Sequence, residues 1–172
     1  MLISEKMQEL INQQINAELY SSYLYLSMAA YFESHNWSGF AAWMKGQAGE
    51  EMGHAMKFYE YLLERGGKVV LQAIPAPHSN WESPQAVFEE TYQHELKVTD
   101  RIHRLLDAAI AEKDHATSNF LQWFVKEQVE EESSTLKLQE KLKMAGTSLG
   151  SVFRLDHDAG KARKGNGGET GD

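Results

Sequence analysis

The 172-residue sequence contains no cysteine. That absence removes disulfides, thiolate metal sites and cysteine nucleophiles, so any metal here is held by oxygen and nitrogen. Proline is nearly as scarce, at three residues. None of them interrupts the long periodic stretches of the chain. No run of 18 apolar residues occurs, and "MLISEKMQEL" lacks the pattern of a signal peptide. The chain is therefore expected to be neither secreted nor membrane-spanning, and so cytoplasmic. Basic residues are outnumbered, with Lys and Arg at 17 against 25 acids and a net charge of -8. That balance argues against a nucleic-acid partner and suits the attraction of cations. Hydrophobic residues at 42% and charged residues at 24% fit a folded globular chain, and 172 residues suit one domain.

What the sequence has in quantity is helical periodicity. Four stretches, at roughly 5–34, 38–65, 84–112 and 115–144, carry it, and no comparable stretch alternates with period two. The expected fold class is all-α. Ser4 and Ser83 are placed to cap the first and third helices, with Pro84 at the first helical position of the latter. "RGG" at Arg65–Gly67 is a stop. A short fifth helix is expected at roughly 148–157, within a domain over 1–160, and residues 161–172 are expected to be a disordered polar tail.

Loop lengths set the topology. "ESHNWS" and "EKDHAT" are short and predict two antiparallel hairpins. The connection "GGKVVLQAIPAPHSNWES" can reach about 55–60 Å when extended. The second helix is only about 42 Å long, so this crossover can run the bundle and make helices two and three parallel. A four-helix bundle with one long crossover is a ferritin-like arrangement.

At about 100° per residue, acids fall on apolar faces. On the second helix Glu51 and His54 share an arc with Trp43, Gln47, Phe58 and Leu62. On the first, Glu18 lies among Ile11, Ile15, Tyr25, Leu26 and Phe32. Glu95 shares a face with Phe88, Val98 and Ile102, and Glu131 with Phe120, Phe124 and Leu142. Every helix of the bundle thus turns a carboxylate inward. An ionised buried carboxylate costs several kcal/mol unless compensated. Lys and Arg are nearly absent from these faces, so divalent cations are the evident compensation. Glu18, Glu51, Glu95 and Glu131 with the imidazole of His54 would suit two bridged ions, iron or manganese rather than zinc. A lone Glu-x-x-His recurs by chance; four acids on four helices do not. Tyr25 fits packing or chemistry equally. Trp123 is expected in the core, and His35, His78, His94, His103, His115 and His157 are expected in solvent or loops.

With Glu18 and Tyr25, "GEEMGHA", "TYQHELKV" and "WFVKEQVEEE" in place, the sequence resembles bacterial non-haem ferritins over about residues 4–160. The resemblance implies a hollow twenty-four-subunit cage and an iron-storing ferroxidase using dioxygen or hydrogen peroxide. It implies a first iron site of Glu18, Glu51 and His54, with Glu51 bridging to a second site of Glu95 and Glu131 beside Gln128. Tyr25 matches a tyrosine implicated in electron transfer. A third iron site would use Glu50, Glu127 and Glu130, sharing Glu131. By projection Glu50 and Glu127 lie at the edge of the inner face, and Glu130 points about 100° from Glu131, toward solvent or a cavity.

Departures from neighbouring families narrow the expectation. Gln128 and Glu131 replace the second Glu-x-x-His of bacterioferritins and many diiron oxidases, which favours iron in transit over a permanently held cofactor. A discrete diiron or dimanganese oxidase or peroxidase on the same bundle is the alternative. The second helix also carries Met52, Met56, Tyr59 and Leu63 as an apolar stripe turned away from Glu51. Such a stripe needs either a symmetry mate or the crossover as cover. Met52 could ligate haem as in bacterioferritins, but non-haem ferritins carry the same Met, so no haem is expected. Gly46, Gly49 and Gly53 form a second stripe, expected to meet another backbone.

Overall fold

The computed structural model describes residues 3–166. Within them all regular structure is helical: α1 (Glu5–Ser34), α2 (Ser38–Glu64), α3 (Pro84–Ala111), α4 (His115–Ala145) and α5 (Leu149–Asn166). The helix ends are chemically specified. Ser4 Oγ accepts from the Met7 N–H at 3.1 Å, and Ser83 Oγ accepts from Ala86 at 3.2 Å. Gly66, at φ 72°, ends α2 in a Schellman motif, with Gly67 N–H donating to Leu62 O and Gly66 N–H to Leu63 O, each at 2.9 Å. Asn36 and Lys113, at φ 62° and 56°, end α1 and α3 in the same way.

The start of α2 has no local side-chain cap. Its cap comes from α5, where Asp156 Oδ1 accepts from the Phe40 N–H at 2.7 Å. A carboxylate there also meets the positive end of the helix dipole. Gly39 makes this possible, since a Cβ on it would stand 1.7 Å from the Asp156 carbonyl oxygen. A Cβ on Gly160 would in turn lie 2.9 Å from Gly39 Cα. Within the chain a close backbone approach is thus made at Gly39 and Gly160, while Gly49 and Gly53 of the glycine stripe meet no other part of it.

Two apolar clusters fill the bundle and fix its directions. One joins Phe32 from the end of α1, Phe40 and Met44 from the start of α2, Phe88 from the start of α3, Leu142 from the end of α4, and Val152 of α5. The other joins Met7 and Ile11 from the start of α1, Leu62 from the end of α2, Ile102 from α3, and Leu121 and Phe124 from the start of α4. Helices α2 and α3 thus run parallel, and each hairpin is antiparallel. The crossover lies along α1: Asn12 bonds Lys68 O and the Val70 N–H, and Ser27 donates to His78 O at 2.8 Å.

Several expectations are corrected. Leu26, placed on the inner face of α1, is half exposed; it lies at the edge of a projected arc wider than the buried one. The crossover leaves Met52, Met56 and Leu63 exposed, because it follows α1 instead of covering the α2 stripe. The fifth helix continues well past 157, so residues 161–166 of the expected tail are helical. Residues 167–172 lie outside the described residues.

Candidate metal centre

Between the two apolar clusters lies a layer of buried polar side chains. Glu18, Glu51 and Glu95 are each 1% exposed or less, and His54, Gln128 and Glu131 are buried with them. Helical phase puts them there: each stands on the apolar face of its helix, near mid-length. Glu18, Glu51 and His54 offer ligand atoms that all lie within 4.8 Å of one another. His54 Nδ1 is 3.5 Å from Glu51 Oε2, one turn earlier on α2.

Three of the acids accept from side-chain donors, one on the same helix and the others on neighbouring helices. Gln14 Nε2 donates to Glu18 Oε1 at 2.8 Å, and Gln47 Nε2 donates to Glu131 Oε2 at 2.7 Å. Glu95 accepts from the Tyr25 hydroxyl on one oxygen and from Gln128 Nε2 at 3.1 Å on the other. Gln128 also reaches Thr99 Oγ1 at 3.2 Å. Three carboxylate oxygens, Glu18 Oε2 and both oxygens of Glu51, are buried with no hydrogen-bond partner among the described residues. Buried polar atoms are nearly always satisfied, so this concentration of orphans at one point calls for a partner that is not a side chain.

Charge crowding has the expected electrostatic effect. Burial, reinforced by Glu51, pushes the Glu18 carboxyl well above the usual range. Burial and then Glu95 do the same to Glu51. Burial also raises Glu95, against the lowering hydrogen bonds of Tyr25 and Gln128. Glu131 is raised to about 7 by burial and then by Glu95, and Tyr25 is raised by burial and the facing Glu95. A divalent cation among these oxygens would reverse that order and favour the carboxylates.

A family model for a ferritin-like domain matches residues 8–145, which span the whole polar layer. The chain belongs to the ferritin family. A bacterial non-haem ferritin of Bacteroides fragilis is 46% identical over 160 residues, covering 93% of this ferritin and 99% of that relative. A probable bacterial non-haem ferritin-like protein of Haemophilus influenzae is 40% identical, covering 92% of this chain and 96% of the relative. Among solved structures, an open-pore ferritin from the hyperthermophilic archaeon Archaeoglobus fulgidus superimposes with a TM-score of 0.91 at 54% identity. That match covers 92% of this ferritin and 98% of the archaeal chain. No described helix of this ferritin is long and apolar enough to cross a membrane.

The remaining sequence candidates lie beside the layer. Glu50, Glu127 and Glu130 line, with Gln47 and Glu131, a cavity of about 370 Å³ between α2 and α4. Glu127 Oε1 stands 4.0 Å from His54 Nε2. Glu130 is exposed on the rim of that cavity, in keeping with its phase on α4.

Other residues differ from expectation. Trp123 is 40% exposed instead of core, edge-on to His54 with ring centroids 5.5 Å apart and with Lys57 over its face. His94 is partly buried against Tyr25 and Tyr20, and Ser21 Oγ lies 2.8 Å from its Nε2. Burial and then Lys97 lower the imidazole to about 4. His78 lies on the crossover loop, as expected, and pairs there with Glu90 of α3 at 2.8 Å. The supporting amides Gln14 and Gln47 had a legible signal: each stands at helical spacing, four residues before Glu18 and Glu51 respectively.

Proposed function

We propose that this ferritin binds Fe²⁺ as substrate at the mid-bundle layer, oxidises it to Fe³⁺ and stores the product as ferric mineral inside a twenty-four-subunit cage. The observation that carries the reading is the orphaned Glu51 carboxylate: both oxygens are buried beside Glu18 and His54, with no hydrogen-bond partner among the described residues. Glu51 can serve two ions at once, one with Glu18 and His54 and the other with Glu95 and Glu131. Each Fe²⁺ gives up one electron, and dioxygen or hydrogen peroxide takes the pair together with two protons. The Tyr25 hydroxyl donates to Glu95 and so holds that carboxylate in place beside this path. Because Glu131 stands where a second Glu-x-x-His would carry its histidine, the second position is oxygen-rich and suits an ion that moves on. Glu50, Glu127 and Glu130, with Glu131, form a third iron position on the way out through the α2–α4 cavity. The exposed Met52–Leu63 stripe supports contact between copies of the chain.

Glu18→Ala and His54→Ala test the centre directly. Each is expected to slow Fe²⁺ oxidation in stopped flow by at least about 100-fold, the scale of losing a positioned group. Wild-type rates in both would overturn the assignment. Iron loading combined with particle sizing tests storage: uptake far beyond the site count is expected, whereas a discrete oxidase saturates at the centre. The purified protein is expected to show no Soret band, which separates it from a haem-carrying relative.

A further inference from the structure

The seam between α1 and α3 has a chemistry unlike the rest of this acidic chain. Lys97 and Arg101 sit one turn apart on α3, and among the described residues neither forms an ion pair. Like charges at this spacing repel each other on an isolated helix. They border a cavity of about 330 Å³ whose far wall is Gln13, Asn16 and Tyr20 of α1, with His94 beside it and Pro75 of the crossover at its rim. Lys97, Arg101 and Gln13 also border a second cavity of about 480 Å³, which reaches Gln14 and is flanked by Arg104, itself paired with Asp100. The α2–α4 cavity on the other pair of helices is lined by four glutamates, so the two seams carry opposite charge.

Asn16, which lines the first cavity, has its Oδ1 buried with no hydrogen-bond partner among the described residues. An anion answered only by cations would leave that acceptor orphaned, as sulfate does, since it has no proton to donate. Hydrogenphosphate has both the charge for Lys97 and Arg101 and a P–O–H for Asn16. We infer that the α1–α3 seam is a binding site for a protonated tetrahedral oxyanion, of the inorganic phosphate class, held by Lys97 and Arg101 and read by Asn16. The site lies one side chain from the metal layer on two sides: Gln14 holds Glu18, and His94 packs on Tyr25.

The test uses the full-length, metal-free assembly and inorganic phosphate, followed by calorimetry and ³¹P NMR. Metal-free protein keeps this site distinct from any phosphate carried by iron, so its failure is separate from failure of the ferroxidase reading. Saturable binding of about one phosphate per chain is expected. The Lys97→Gln/Arg101→Gln variant should weaken it by about tenfold or more, and the exposed control Lys126→Gln/Lys137→Gln should not. Sulfate is expected to bind more weakly than phosphate, and Asn16→Leu to narrow that gap. No saturable binding, equal loss in the control variant, or sulfate equal to phosphate in the wild type would each overturn the inference.

Discussion

The hydroxyl of Tyr25 on α1 donates to Glu95 on α3, while Gln128 on α4 holds the other oxygen of the same carboxylate at 3.1 Å. One acid is thus positioned from two helices, and the donors favour its charged form. Tyr25→Phe keeps the ring and removes one donor. The loss of a buried bond of this kind is expected to cost about 1–3 kcal/mol. Melting should drop accordingly, by about 2–4 °C per kcal/mol for a chain of this size. Metal binding measured with redox-inert Zn²⁺ should survive while Fe²⁺ oxidation slows. Unchanged oxidation would reduce Tyr25 to packing.

The acid layer makes the metal-free protein sensitive to pH in a direction opposite to ordinary salt-bridged carboxylates. Glu18, Glu51, Glu95 and Glu131 all have raised folded-state values, Glu131 to about 7. For an acid raised on folding, the stabilising contribution is complete below the unfolded value near 4.5 and disappears as pH rises through the folded value. From Glu131 alone the span corresponds to about 3 kcal/mol. The metal-free midpoint in urea should therefore fall between pH 5 and pH 8, by an amount that Glu131→Gln reduces. Adding Zn²⁺ at pH 8 should restore it by mass action. A midpoint that rises over this range would contradict the electrostatic picture.

Gly39 and Gly49 should respond in opposite ways to the same change. Gly39→Ala drives a methyl into the Asp156 backbone and displaces the cap on α2. Overpacking and cap loss together are expected to cost about 2–4 kcal/mol, with hydrogen exchange accelerated first in α5. Gly49→Ala meets open space and should stabilise the isolated chain by about 0.5–1 kcal/mol. If Gly49→Ala instead weakens assembly, a neighbouring copy approaches that stripe.

Lys113 ends α3 at φ 56°, a conformation that costs a residue with a Cβ about 1 kcal/mol or more. Lys113→Gly should raise the melting temperature by a few degrees without touching the metal layer. A decrease would mean that the lysine side chain holds the turn.

The exposed apolar side chains of α2 can be tested by sedimentation. Met52→Glu/Met56→Lys should shift the protein to smaller species while its circular dichroism stays helical. Particles of unchanged size would move the subunit contact away from this stripe.

Helix positions, bundle direction and the inward acids were readable because each rests on local chemistry or on phase. A cap, a Gly-Gly stop and a 100° step per residue place Glu18, Glu51, His54, Glu95 and Glu131 without knowledge of neighbours. What was missed depends on contacts between helices. His94 has no signal on its own helix that reveals Tyr25 beside it. Trp123 sits near enough to the apolar arc to pass for core, yet it is 40% exposed, with Lys57 over its ring. The length of α5 was hidden by a composition typical of tails, which the interaction of Asp156 and Gly160 with Gly39 and Phe40 overrides in the middle of the helix.

The polar layer set between two apolar clusters has a further consequence, for alignment. Oily bundles tolerate a helix sliding along its neighbours by one turn, about 5.4 Å, because one leucine replaces another. Here such a slip would carry Glu18, Glu51, Glu95 or Glu131 out of its row and strand a carboxylate at the level of apolar neighbours such as Ile15 and Val98. The acids thus act as a vernier, marking one longitudinal setting for all four helices and penalising every other.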